Sequence, residues 1–239
     1  MLGSCSRTLA VILFPKKILF FWIQLYDLSC NKPHSLTFTA TTAQESDLLP
    51  FDPTISTWSW PHYTATVRSQ LTPFSPDIAE TALELYPSGD SFTPEYQYSS
   101  LVADLRATCP VHVLANATDL RFRSPVFRAV VTAAPSSPVN LFNISAPHYA
   151  FHGWELVVFF GDFQGFGFHP SAMDLGFQKV LRQQVMAFAR NGRPEAPVWD
   201  TALRCTALLS DHVFPVEHYN KNRCDFWLGH GFFSYAWIN

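Results

Sequence analysis

Glycine is scarce in this chain, with 10 in 239 residues. No Gly-x-Gly-x-x-Gly and no phosphate-binding loop occurs, so the usual glycine-built nucleotide cradles are excluded. The five cysteines are Cys5, Cys30, Cys109, Cys205 and Cys224, and none forms a Cys-x-x-Cys pair, which removes the common zinc knuckle. Charged residues make up only 15%, with a formal net charge of −3. No basic stripe marks a nucleic-acid surface, and no acidic block marks a solvating tail. No apolar run reaches the roughly 18–20 residues that span a bilayer as a helix.

What is abundant is apolar and aromatic. Hydrophobic residues account for 48%, and there are 22 Phe, 8 Tyr and 7 Trp. That is enough to bury a core, as a disordered tail cannot. A surplus of aromatics often lines an apolar cleft, but most of them serve packing.

Residues 1–35 stand apart as an apolar N-terminal extension. Leu9 to Pro15 is apolar, Lys16-Lys17 interrupts, and Ile18 to Leu25 is apolar again. Three readings stay open. The segment is a signal or anchor, with membrane association through residues 8–25; it precedes the native start; or it is an ordinary strand and loop. No small-residue cleavage site follows the apolar run, and the basic pair lies far from Met1, which weighs against a signal.

From residue 36 onward, strand patterns alternate with helix patterns. Leu36-Thr-Phe-Thr-Ala-Thr alternates as a strand does and runs into a polar turn at Glu45. Trp58 to Leu71 has helical spacing, interrupted by Pro61. Ser75-Pro76 and Thr93-Pro94 open two further helices, with proline where a missing N–H costs nothing. Leu101, Val102 and Leu105 face inward on the second, and a short helix follows from Val111 to Asn116. Val126 to Thr132 is a β-branched strand. Leu156 to Phe160 is a continuous apolar run, read as a strand buried on both sides. Ser171-x-x-Asp174 resembles a capping box and opens a long helix with Leu175, Val180, Val185, Phe188 and Ala189 inward. Asn191-Gly192 stops it. This order favours an α/β architecture.

The chemistry centres on His152. Gly153 beside it suits a tight loop that presents the ring, and imidazole exchanges protons near neutrality. A lone His-Gly is more often a turn. Here it sits in Ala146-Pro-His-Tyr-Ala-Phe-His152-Gly-Trp-Glu155-Leu-Val-Val-Phe-Phe-Gly161. That string resembles the catalytic-histidine segment of the type-B carboxylesterase/lipase (cholinesterase-like) family. Ala187-Phe-Ala-Arg-Asn-Gly-Arg-Pro194 is similar to a helix end of the same family. The resemblance covers about residues 36–230 and implies the C-terminal part of an α/β-hydrolase fold, with a partial, mostly parallel sheet flanked by helices.

The resemblance extends to the acid and the cysteines. Thr39-Ala-Thr-Thr-Ala-Gln-Glu45-Ser resembles the segment carrying the family's triad glutamate, which makes Glu45 the partner of His152. A carboxylate there accepts the imidazole N–H, fixes the tautomer and stabilises the imidazolium. Asp47 is the alternative acid and His148 the rival histidine, read as structural or solvent-facing. Leu105-Arg-Ala-Thr-Cys109-Pro and Arg223-Cys224-Asp-Phe-Trp227 resemble the family's paired-cysteine segments and imply a Cys109–Cys224 disulfide. No partner is implied for Cys5, Cys30 or Cys205.

The family's nucleophile is missing: no Gly-x-Ser-x-Gly and no His-Gly-Gly occurs. The expectation is a serine-type ester hydrolase that is truncated, lacks its serine and oxyanion loop, and does not turn over esters as written. The alternative is a non-catalytic remnant or binding module of the same fold. No cofactor or metal is implied. A small-molecule ester is the expected partner only if an N-terminal part completes the site. Asn116-Ala-Thr118 and Asn143-Ile-Ser145 are glycosylation acceptor patterns. With a disulfide they favour a secretory lumen or secretion; the cytoplasm is the alternative if residues 1–30 are no signal. Phe159, Phe160, Phe163, Phe166 and Phe168 wall an apolar pocket or serve plain packing.

Overall fold

The computed structural model describes residues 7–11, 21–27, 35–48, 52–121, 124–140, 146–195, 199–201 and 204–232. Among the described residues six strands form one sheet in sequence order: β1 (Arg7–Val11), β2 (Phe21–Asp27), β3 (Ser35–Thr42), β4 (Val126–Val131), β5 (Cys205–Leu209) and β6 (Val213–Glu217). From β3 onward the sheet is mostly parallel. β3, β4 and β5 run side by side in parallel, and β6 turns back antiparallel. β1 and β2 add an antiparallel pair to the free edge of β3. Helices between β3 and β4 and between β4 and β5 make the crossovers that parallel pairing requires.

Proline and capping residues fix where these helices start. α1 (Trp60–Leu71), α2 (Pro76–Leu85) and α3 (Pro94–Ala103) each carry proline in the first turn. Ser59, Ser75 and Thr93 cap them by accepting a backbone N–H. Pro61 therefore lies within α1 at its start, where it breaks no hydrogen bond. α3 continues through a π-helical turn, Asp104–Thr108, into α4 (Cys109–Arg121), which is longer than the segment 111–116 suggested by the sequence.

Leu156–Phe160 differs from expectation. It is helical, within α5 (Trp154–Phe160), and not a strand. Gly153 and Gly161, with φ of 83° and 76°, frame it at both ends in left-handed conformations that glycine adopts freely. Trp154, Val157 and Val158 share one buried face while Phe160 is 72% exposed, a helical spacing that a five-residue apolar run conceals.

α6 (Ala172–Asn191) starts on a complete capping box at Ser171 and Asp174 and ends on left-handed Gly192. Phe177, Leu181, Val185 and Phe188 face the core, whereas Leu175, expected inward, is exposed. α7 (Lys221–Gly229) closes the described chain.

Two cores result. On one face of the sheet, Phe38, Phe127, Ala207 and Leu209 pack with Trp154, Phe177, Phe188 and Trp199. A second core fills the space among α1, α2, α3 and α7 around Tyr63, Tyr86 and Trp227. The disulfide Cys109–Cys224 lies within this core and ties α4 to α7. Buried Asp104 accepts from Tyr86 and Asn220 beside it, and Trp227 Nε1 donates to the Tyr86 hydroxyl.

The opposite face of the sheet mixes buried valines, Val126 and Val130, with buried polar side chains. Register places Thr39 beside Arg128, and Arg128 donates through Nε to Thr206 Oγ1 at 2.9 Å. Arg128 is buried, its Nη1 has no partner, and burial pulls its pKa down to about 10.

Candidate active site

β3 delivers Glu45. The strand ends at Thr42, and the chain turns into a short 3-10 segment, Glu45–Leu48, at the carboxyl end of the parallel strands. Loops at that end of an α/β sheet are where such folds place their chemistry. Glu45 Oε1 accepts the Thr42 N–H at 2.6 Å, which folds the side chain back over the strand end.

His152 follows β4 in the chain and lies at the same end, beside Glu45. Glu45 Oε2 and His152 Nδ1 lie 2.6 Å apart. Their side chains are only 12% and 14% exposed, so solvent screens the pair weakly. With Nδ1–H donated to the carboxylate, Nε2 is left as the basic nitrogen. Burial opposes the imidazolium, but the Glu45 hydrogen bond and charge, aided by Glu155, outweigh it and raise the His152 pKa. A histidine ring held in this way can serve as a base.

Glu155 completes the local electrostatics. It sits in the first turn of α5, 4% exposed, with Oε2 unpartnered. Burial first, then the charge of Glu45, pushes its pKa well above the carboxylate range.

The rival residues are engaged elsewhere. Asp47 Oδ2 accepts the backbone N–H of His148 at 3.0 Å and of Tyr149 at 2.9 Å. His148 Nε2 lies 3.2 Å from Glu95 Oε2. Glu95 and Gln44 are structural partners that local sequence did not single out. Each looks like an ordinary polar residue at a helix start or turn, and each is buried only through contacts dozens of residues away.

Phe163 and Phe168 are buried around Trp154, so that part of the phenylalanine-rich loop is packing. Cys205 is free and half-buried at the start of β5. Asn116 is half-buried within α4, its Nδ2 3.0 Å from His112 Nε2. Cys5, Cys30 and Asn143 lie outside the described residues. Among the described residues no group of His, Cys, Asp and Glu is arranged to hold a metal ion, and no helix is long and apolar enough to cross a membrane. The disulfide is compatible with a secreted or lumenal protein.

No protein-family model and no curated protein matches this chain. Solved structures do. A PNB esterase superposes with a TM-score of 0.51 at 19% identity, covering 80% of this chain and 37% of its own. A thermophilic PNB esterase gives a TM-score of 0.52 at 19% identity, with 80% and 38% coverage. The chain thus spans less than two-fifths of the length of either. These likenesses, with the parallel strands and flanking helices, define an esterase-like, partial α/β-hydrolase fold.

Proposed function

We propose that this chain carries the acid–base pair of a serine-type carboxylic-ester hydrolase, of the type-B carboxylesterase or cholinesterase-like kind. The single observation behind this is the shielded 2.6 Å contact between His152 Nδ1 and Glu45 Oε2 at the carboxyl end of the parallel strands. In the complete reaction a serine attacks the ester carbonyl, and His152 takes its proton through Nε2. Glu45 holds the ring and stabilises the imidazolium, and His152 then returns the proton to the leaving alcohol. Backbone N–H donors hold the oxyanion.

The serine and those donors belong to a segment outside this sequence, which has no Gly-x-Ser-x-Gly and no His-Gly-Gly. Substrate is a small-molecule ester, met only when that segment is present. The disulfide and the acceptor patterns at Asn116 and Asn143 support a glycoprotein of the secretory pathway. Membrane attachment through residues 8–25 is not required by this reading.

The chain alone is expected to leave a nitrophenyl ester unhydrolysed above the rate of the same buffer with His152→Ala protein. Turnover abolished by a serine-directed organophosphate would show that a nucleophile is already present and would overturn the division of labour. The missing nucleophile also favours one second reading, a non-catalytic module of the same fold. Under it, His152→Ala leaves every activity of the complete polypeptide unchanged.

A further inference from the structure

Two loops must meet for Glu45 to reach His152, although 107 residues separate them. Besides that contact, four hydrogen bonds among the described residues stitch these loops together, and all four use Gln44 or Asp47. The Gln44 N–H donates to the Ala150 carbonyl at 3.0 Å, and the Ala150 N–H donates back to Gln44 Oε1 at 3.3 Å. Asp47 Oδ2 accepts the N–H groups of His148 and Tyr149. Gln44 and Asp47 bracket Glu45 in sequence, and the anchored residues 148–150 end two positions before His152.

Both anchors are buried, at 5% and 3% exposure, so their bonds do not compete freely with water. Gln44 is fixed in turn by donating from Nε2 to Ser100 Oγ at 3.1 Å, and Ser46 Oγ donates to the Ser99 carbonyl at 3.2 Å. The acid loop is thereby tied to α3 on one side and to the histidine loop on the other. Neither Gln44 nor Asp47 touches the imidazole in any of these bonds.

We propose that Asp47 and Gln44 are positioning residues that set the distance between Glu45 and His152 by clamping the backbone of residues 148–150. This rests on reading Glu45 and His152 as the acid–base pair. Displacements of about 1 Å from productive geometry can cost on the order of a hundredfold in rate. A clamp one or two residues from Glu45 and two to four from His152 controls that distance more tightly than the scaffold beyond it.

The test is the Nδ1 proton of His152, read by NMR on the full chain and assigned by its disappearance in His152→Ala. A short charge-assisted hydrogen bond moves that proton far downfield and slows its exchange. Wild type is expected to show it and Glu45→Gln to lose it. Asp47→Ala is expected to lose it with the disulfide and near-UV circular dichroism intact. Asp47→Asn, which still offers a carbonyl oxygen to the two N–H groups, is expected to keep it. If Asp47→Ala does not fold, Gln44→Ala decides by the same readout. A resonance that persists unshifted in every folded clamp variant, while vanishing in Glu45→Gln, overturns the clamp and leaves the pair standing. No such resonance in wild type removes the pair itself, and the clamp with it.

Discussion

Cutting the Cys109–Cys224 disulfide is the perturbation whose size follows most directly from the structure. The two residues are 115 apart in sequence and their Cα atoms lie 5.0 Å apart. Cross-linking a loop of that length removes unfolded-state entropy worth about 5 kcal/mol at 25 °C on the chain-entropy view. Both cysteines are buried, at 0% and 3% exposure, so cutting the bond also opens the second core beside Tyr86 and Trp227. A domain of this kind has about 5–15 kcal/mol to lose, so at least a third goes.

With a urea m-value of about 2–3 kcal/mol per molar, Cys109→Ala with Cys224→Ala should lower the unfolding midpoint by about 2 M. Reductant added to wild type should give the same shift, and reductant added to the double variant should give none. Tryptophan fluorescence reports the transition, because Trp227 lies in the affected core. A midpoint unmoved by reductant, with free thiols titrated to show that the bond was cut, would refute the reasoning.

Three further outcomes follow from the site and the sheet. Glu45→Gln should lower the His152 titration midpoint toward the ordinary imidazole value, measured by NMR. The sign follows from His152 being raised in the fold. Its stabilising contribution is complete below the unfolded imidazole pKa and is lost as pH rises through the folded value. Glu155 is also raised, so the fold holds its proton more tightly than the unfolded chain does. Stability should therefore fall as pH rises from the ordinary carboxylate pKa to the folded one, and Glu155→Gln should flatten that fall in urea titrations. Arg128→Met should leave stability unchanged or raise it by about 1 kcal/mol, because the guanidinium is buried with Nη1 unpartnered. A loss above about 2 kcal/mol would mean that its bonds to Thr206 outweigh the cost of burying it.

Local sequence carried the parts of the fold that local physics decides. Ser75-Pro76, Thr93-Pro94 and the Ser171–Asp174 box announced helix starts, because caps act within one turn. Glu45 and His152 were legible through short strings in a recognisable order, and the structure sets them side by side.

What local sequence hid was non-local. Leu156–Phe160 looked like a buried strand because five apolar residues fit either period. Only the left-handed glycines at both ends and the packing of Trp154 select the helix. Leu175 fits the apolar stripe of α6 by spacing, but the core lies under Phe177 and Leu181. Gln44 and Arg128 carry no signal of their own, and Asp47 reads only as an alternative acid, not as an anchor of the histidine loop. Their burial comes from contacts made across 56 or more residues, to α3, the histidine loop and β5.

The central claim is that His152 is the base of an ester-hydrolysing site whose serine lies outside this sequence. Its most direct measurement is nitrophenyl-ester turnover by the complete polypeptide from its native source, compared with the same polypeptide carrying His152→Ala. Loss of about a thousandfold or more in kcat, with organophosphate labelling of a serine outside these 239 residues, is the expected result. Turnover unchanged by His152→Ala, or no turnover in the complete polypeptide, would contradict it.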